Sequence, residues 1–264
     1  MSDTQTPVES TSLESSLAAV EINSEAAPSA TTAATSVADT TTSSSPVASR
    51  LRVLNDTPLK TPIVDALETT TIPAAPELTP DQQAKYDELL NRVKLWNTIP
   101  STTGKEGPIN DREIMWLTRE CLLRYLRATK WSLAEAEKRL LGTLTWRRDY
   151  GVEELTADYI SPENETGKQM ILGYDINGRP CQYLNPGKQN TEVSPRQVQH
   201  LVFMVERVVE MMIPGQETLA LLINFKAGKT RTNTSPGIGQ GREVLNILQT
   251  HYPERLGRAL IING

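Results

Sequence analysis

Leu219-Ala-Leu-Leu-Ile-Asn-Phe225 is the stretch on which the fold turns. Seven residues with no charge and no polar alternation have the length of a strand and are too few for a buried helix, which predicts a strand covered on both faces. Downstream, residues 242–250 predict a helix, and residues 259–262, Ala-Leu-Ile-Ile, form a second apolar run. Strand, helix and strand make a crossover, and a crossover joins parallel strands. These residues therefore predict an α/β unit.

Working upstream, residues 169–174 and 181–184 predict two short strands around Asp175-Ile-Asn-Gly178, because Asn-Gly tolerates the positive φ of a tight turn. Ser194-Pro-Arg-Gln197 then opens a helix with a cap residue followed by proline. Val198, Leu201, Val202, Val205, Val208, Val209 and Met212 share its wide aliphatic face. Between residues 79 and 155 the ordered segments have a helical period. Thr79-Pro-Asp-Gln82 has the form of a capping box and starts a helix carrying Tyr86, Leu89, Leu90 and Val93. A polar loop, 101–110, leads to a second helix over 112–128 with Ile114, Leu117, Cys121, Leu122 and Tyr125 at helical spacing. Ser132 and Glu135 cap a third, which carries Leu133, Ala136, Leu140 and Leu144 and stops at Tyr150-Gly151.

The first 50 residues hold 21 Ser or Thr, nine Ala and no aromatic residue, too little apolar surface to offset the entropy of ordering. Weakly patterned, proline-containing sequence continues to residue 78. Three parts follow: a disordered tail and linker over 1–78, a three-helix unit over 79–155, and an α/β domain over 156–264. The chain ends at Gly264, just after a strand expected to lie inside a sheet, and the α/β domain reads as incomplete.

Charge narrows the function. The tail has six acids and one base, so residues 51–264 balance 26 acids against 26 bases. A neutral folded part lacks the positive field that nucleic acid binding requires. Cys121 and Cys181 have neither metal-ligand spacing nor the numbers of a disulfide framework, which fits a reducing compartment. The start has no secretory signature and no run approaches the ~20 apolar residues that span a bilayer. A cytoplasmic chain is expected, and the Asn-x-Ser/Thr triplets at Asn55, Asn164 and Asn233 are read as chance matches.

Catalytic chemistry is sparse. His200 and His251 have no Ser, Cys or carboxylate neighbours that suggest a triad. Gly237-Ile-Gly-Gln-Gly241 resembles a phosphate loop only weakly, since a polar insertion separates it from the preceding strand and no Lys-Ser/Thr follows. The basic residues Arg119, Arg124, Arg127, Lys130, Lys138, Arg139, Arg147 and Arg148 have two readings: a face toward anionic phospholipid, or surface pairing, with Glu120 to Arg124 and Glu135 to Arg139 in the favourable i to i+4 order.

Four blocks carry a family resemblance. Cys121-Leu-Leu-Arg-Tyr-Leu-Arg-Ala-Thr-Lys130-Trp131 and Trp146-Arg-Arg-Asp-Tyr-Gly151 resemble the N-terminal helical region of CRAL-TRIO lipid-transfer proteins. Asp175-Ile-Asn-Gly-Arg-Pro180 and Tyr252-Pro-Glu-Arg-Leu-Gly-Arg258 resemble signatures of the lipid-binding domain itself. The chain most resembles the fungal phosphatidylinositol transfer branch, with a C-terminal truncation. The resemblance implies a carrier and not an enzyme: no catalytic residues, no cofactor, no metal, and a bound phospholipid or sterol as cargo.

It also implies site residues. Arg258 corresponds to the basic residue that contacts the inositol phosphate in relatives, where Lys is common. The family's Arg-Lys pair is Thr129-Lys130 here, so one headgroup charge is missing, and Lys226 stands where some relatives place an acid. Val198, Leu201, Val202, Val205, Val208, Val209, Met212, Leu221, Ile223 and Phe225 are the candidates for an acyl-chain cavity; an aliphatic helix face is also what ordinary core looks like. Expected partners are phosphatidylinositol, phosphatidylcholine or sterol, and a membrane surface in passing. Two other functions compete: an interaction module that presents the apolar face to a partner, and a nucleotide-binding enzyme using the turn near Gly239.

Overall fold

The computed structural model describes residues 63–227 and 238–263, which belong to one compact unit. The tail before residue 63, most of the insertion after Lys226, and Gly237 lie outside the described residues. Residues 63–78, expected to be linker, pack along the hairpin. The Tyr174 hydroxyl donates to the Val64 carbonyl at 2.9 Å, and a Cβ on Gly178 would meet the side chain of Thr70 at 3.1 Å. An irregular segment held by single contacts has no period to reveal it.

Helix α1 (Pro80–Val93) starts with the expected capping box, Thr79 Oγ1 accepting from the Gln82 amide and Gln82 Oε1 from the Thr79 amide. A two-residue antiparallel ladder, β1 (Thr98–Ile99) with β2 (Gly107–Pro108), follows. The single helix expected over 112–128 is two, α2 (Asp111–Trp116) and α3 (Arg119–Ala128). Thr118 makes the break: its hydroxyl accepts from the Cys121 amide and starts a new helix, as a short oxygen-bearing side chain does at an N-cap. Helix α4 (Leu133–Tyr150) ends as expected at Gly151, with φ 74°, but Ser132 makes no side-chain cap bond. Leu89, Leu122, Tyr125, Leu126 and Leu140 are fully buried where α1, α3 and α4 meet. A further short helix, α5 (Ala157–Asn164), has Pro162 inside it and lacked a sequence signal.

The α/β part runs β3 (Gln169–Tyr174), β4 (Pro180–Leu184), α6 (Pro195–Glu210), β5 (Leu219–Asn224), α7 (Ile238–His251) and β6 (Leu256–Ile262). Sheet order is β3-β4-β5-β6. The hairpin is antiparallel, and β4 with β5 and β5 with β6 pair in parallel, so the predicted crossover is present. Helix α7 begins earlier than expected, with Gly239 and Gly241 in its first turn.

Register sorts the side chains. Gln182, Leu221 and Ala259 form one row, and Leu184, Ile223 and Ile261 another on the same face. That face meets α6, through Gln182, Gln169 and His200. On the opposite face Tyr183, Leu222 and Leu260 align in one row, with Met170 joining it from β3. The expectation that β5 is covered on both faces does not hold among the described residues: strands flank it on both edges, and a helix covers one face. Among the described residues β6 stands at one edge of the sheet and is exposed along its length.

Candidate functional site

The aliphatic face of α6 is core. Val198, Leu201, Val202 and Val205 pack against Val152, Ile247 and Tyr252, with Val209 beside them, and Val208 is fully buried. Ile223 is buried and Leu221 half-buried on the α6 side of the sheet; Met212 and Phe225 are half-buried. The expectation that this helix and strand wall encloses a guest is corrected by that packing. Polar links close the interface further: Gln182 donates to Gln169 Oε1 at 2.9 Å, and His200 lies 3.4 Å from both Gln169 Nε2 and Asn164 Oδ1. A row of valines at helical spacing specifies burial without saying what it is buried against.

Open apolar surface spans the strands on the other face; on the α6 side it is confined to β6, where Ile261 is 49% exposed. Met170, Leu260 and Ile262 are 37%, 54% and 42% exposed, with Leu222 and Tyr183 half-buried between them. Leu172, 45% exposed, extends the patch on β3. Strand residues two apart share a face, so Arg258, Leu260 and Ile262 project together, with Arg258 in the row of Cys181 and Ala220. At the other end, Asn224 Nδ2 donates to the Tyr183 hydroxyl at 2.7 Å and Asn263 donates to Asn224 Oδ1 at 2.8 Å. The face is therefore basic at one end, greasy in the middle and amide-lined at the other. It escaped sequence reasoning because each strand contributes only one or two of its members, and register, which brings them together, is a tertiary property.

The four headgroup candidates do not form one cluster. Arg258 is exposed opposite Ala220, and Lys226 lies six residues further along, about 20 Å at strand rise. Thr129 caps the end of α3, its hydroxyl donating to the Tyr125 carbonyl at 2.9 Å. Lys130 follows it, exposed, with φ 52°. Arg127, two residues before Thr129, pairs with Glu217 at 2.6 Å just ahead of β5, which brings the end of α3 toward the end of the sheet that carries Arg258.

The basic cluster turns largely inward, and neither surface reading describes it. Arg147 forks onto Glu206 of α6 at 2.8 and 2.9 Å. Arg148 pairs with Glu113 and donates to the carbonyls of Gly107 and Pro108, tying the β1–β2 loop to α4. Arg139 reaches the Gln249 carbonyl at 2.9 Å. The i to i+4 pairs expected for Arg124 and Arg139 are not among the ion pairs of the described residues. Both histidines are packed against other side chains: His251 stacks on Trp146 at 4.1 Å and meets Thr143 Oγ1 at 3.1 Å. Burial, reinforced by nearby Lys168 for His200 and Arg139 for His251, pulls each ring down to a pKa of about 4. Among the described residues no group of His, Cys, Asp and Glu is arranged to hold a metal ion.

Comparison with known proteins bears on the same residues. The chain is 55% identical over 196 residues to a CRAL-TRIO domain-containing protein of Schizosaccharomyces pombe, a match covering 72% of this chain and 19% of that one. It is 43% identical over 211 residues to the phosphatidylinositol transfer protein PDR17 of Saccharomyces cerevisiae, covering 72% and 60%. The SEC14 cytosolic factor of Yarrowia lipolytica is 27% identical over 205 residues, covering 71% and 38%. The chain thus spans between a fifth and three-fifths of the length of these relatives. The CRAL/TRIO N-terminal domain profile matches residues 85–142, which hold most of α1 through α4, and the CRAL/TRIO domain profile matches residues 164–264, which hold the whole sheet. With the helical unit and the sheet each matched to its own part of one architecture, the chain belongs to the CRAL-TRIO family.

Proposed function

We propose that this chain carries a phospholipid, phosphatidylinositol first, against the open face of its sheet and exchanges it between membranes. One observation carries the reading: the contiguous row of Met170, Leu222 and Leu260, with Leu172 and Ile262, on a sheet face that no helix among the described residues covers. A patch of that kind on a folded protein is an interaction surface. Drawing a two-chain lipid from a bilayer exposes tens of methylenes at about 0.8 kcal/mol each, so a carrier must supply an apolar wall of this sort. Arg258, on the same face at its basic end, supplies the charge for an anionic headgroup, with Thr129 and Lys130 at the neighbouring helix end; Lys226 is the fourth candidate. The 43% identity to a protein named for phosphatidylinositol transfer supports this cargo.

The process makes and breaks no bond, and the carrier works in the cytoplasm with passing contact at membrane surfaces. Phosphatidylcholine and sterol are alternative cargoes. Organic extraction of the purified protein followed by mass spectrometry tests the reading: recovery near one phospholipid per chain is expected, and recovery of neither phospholipid nor sterol overturns it. Arg258→Ala is expected to lower phosphatidylinositol transfer more than phosphatidylcholine transfer. Equal losses would remove Arg258 from the headgroup site.

A further inference from the structure

Arg124 projects from α3 into the protein, is 5% exposed, and has no hydrogen bond or ion pair with any described residue, its Nε being buried outright. A guanidinium offers five donors and a permanent charge, and proteins that withdraw one from water give it a partner. Arg124 lines a cleft of about 210 Å³ together with Thr118 at the start of α3, Glu206 on α6, and Tyr252 and Arg255 just beyond α7. Arg255 is a second cation without a carboxylate: it donates to the Glu217 carbonyl at 2.8 Å and touches Met212 Sδ. Burial, and then the neighbouring Arg124 charge, bring its pKa down to about 10.

Glu206 does not neutralise the pair. It is the one carboxylate among the described residues of the cleft wall, and both its oxygens already accept from Arg147, with Oε1 also taking the Tyr252 hydroxyl at 2.6 Å. His251, on the same wall, is neutral at ordinary pH. Two guanidinium groups therefore face a small cleft with no free acid.

We propose that this cleft is an anion site that takes one phosphoryl group, held by the Arg124 fork with Arg255 as the second cation. Planar, bidentate recognition of phosphate is the chemistry for which arginine is suited. A volume equal to about seven waters of liquid accommodates one such group. The site lies on the helix-covered side of the sheet, so it is separate from the face assigned to cargo and does not rest on that assignment. The phosphoryl group comes from either of two sources, a phospholipid headgroup in a bilayer or a free phosphate.

The test uses the full chain. Inorganic phosphate is titrated at ionic strength held constant with sodium chloride, followed by calorimetry and thermal unfolding, and sedimentation with phosphatidylcholine vesicles is measured with and without phosphatidic acid. Saturable phosphate binding is expected, weakened at least about tenfold in Arg124→Gln. Arg255→Gln, at a less buried position, repeats the measurement on an independent variant. A free-phosphate source shows saturable binding with vesicle sedimentation unchanged by the variants; a bilayer source shows sedimentation with phosphatidic acid that the variants lose. Phosphate indistinguishable from chloride, together with vesicle binding equal in wild type and both variants, overturns the proposal. Lipid extracted from the same preparations reports cargo separately, so an empty carrier with an intact anion site, or the reverse, is recognisable.

Discussion

Arg147 is the joint between the helical unit and the sheet's covering helix, and its removal tests whether buried charge holds the two together. The side chain is 8% exposed on α4, forks onto both oxygens of Glu206 on α6, reaches Glu153 at 2.5 Å, and lies 5.5 Å over the Trp116 ring. Burial alone would push the Glu206 carboxyl up; the Arg147 hydrogen bond and charge outweigh it and hold the group below the usual carboxylate range. Arg147→Met fills similar volume but strands Glu206, with the Tyr252 hydroxyl as its remaining donor. Breaking a buried pair from one side costs about 3–5 kcal/mol, and that surviving donor sets the expectation near the low end, about 3 kcal/mol. Adding Glu206→Gln removes the stranded charge while keeping an acceptor for Tyr252, and is expected to recover about half of the loss. Urea unfolding followed by circular dichroism measures both, with equal m-values as the check that only the midpoint has moved. A single-variant loss under about 1 kcal/mol would rank Arg147 with exposed pairs. A double variant no better than the single would show that the stranded carboxylate is not the source of the cost.

Two further outcomes are expected. His200 and His251 have folded pKa values near 4 against 6.5 for an ordinary histidine, so between those values the unfolded chain binds more protons and stability falls as pH is lowered. By pH 5 the loss is about 2 kcal/mol for each ring, before the carboxylates begin to titrate; unfolding free energies that are flat from pH 7 to pH 5 would contradict the buried, neutral assignment. At Gly257, an added Cβ would lie 2.5 Å from Thr218 Oγ1 and from Arg179 Nε, and 2.8 Å from Thr218 Cβ. Gly257→Ala is expected to destabilise the start of β6 by about 1–3 kcal/mol, and an unchanged urea midpoint would show that the approach relaxes freely.

Local chemistry was the legible part of the fold. Thr79 with Gln82, the glycine that ends α4 and the Asn-Gly turn of the hairpin are each decided within a few residues, and each stands where the sequence places it; the strand-helix-strand crossover is also present, with α7 and β6 starting earlier than expected. The break between α2 and α3 was obscured because Ile114, Leu117 and Cys121 keep helical spacing across it; only the Thr118 hydroxyl marks the new start. Helix α5 contains a proline, which argues against a helix in any sequence reading, yet Pro162 lies inside its span of eight residues. Residues 63–78 were lost for the opposite reason, having neither propensity nor period and holding on through single contacts such as the Val64 carbonyl.

The site was harder because hydrophobicity does not state its partner. Val198 to Met212 reads as the greasiest wall in the chain, and it is greasy because α4, α7 and the sheet surround it. The surface available to a guest is built from residues that look unremarkable in sequence, a methionine on β3, a leucine on β5 and alternate residues of β6, and becomes continuous only when four strands fall into register. Charge behaves in the same way. The basic run on α3 and α4 suggested a surface field, but Arg127, Arg139, Arg147 and Arg148 each find an acid or a carbonyl on another element. Pairing those four is what isolates Arg124: it is the buried guanidinium of this run with no acid or carbonyl among the described residues, and with Arg255 beside it in the same cleft it is where an anion from outside would complete the set.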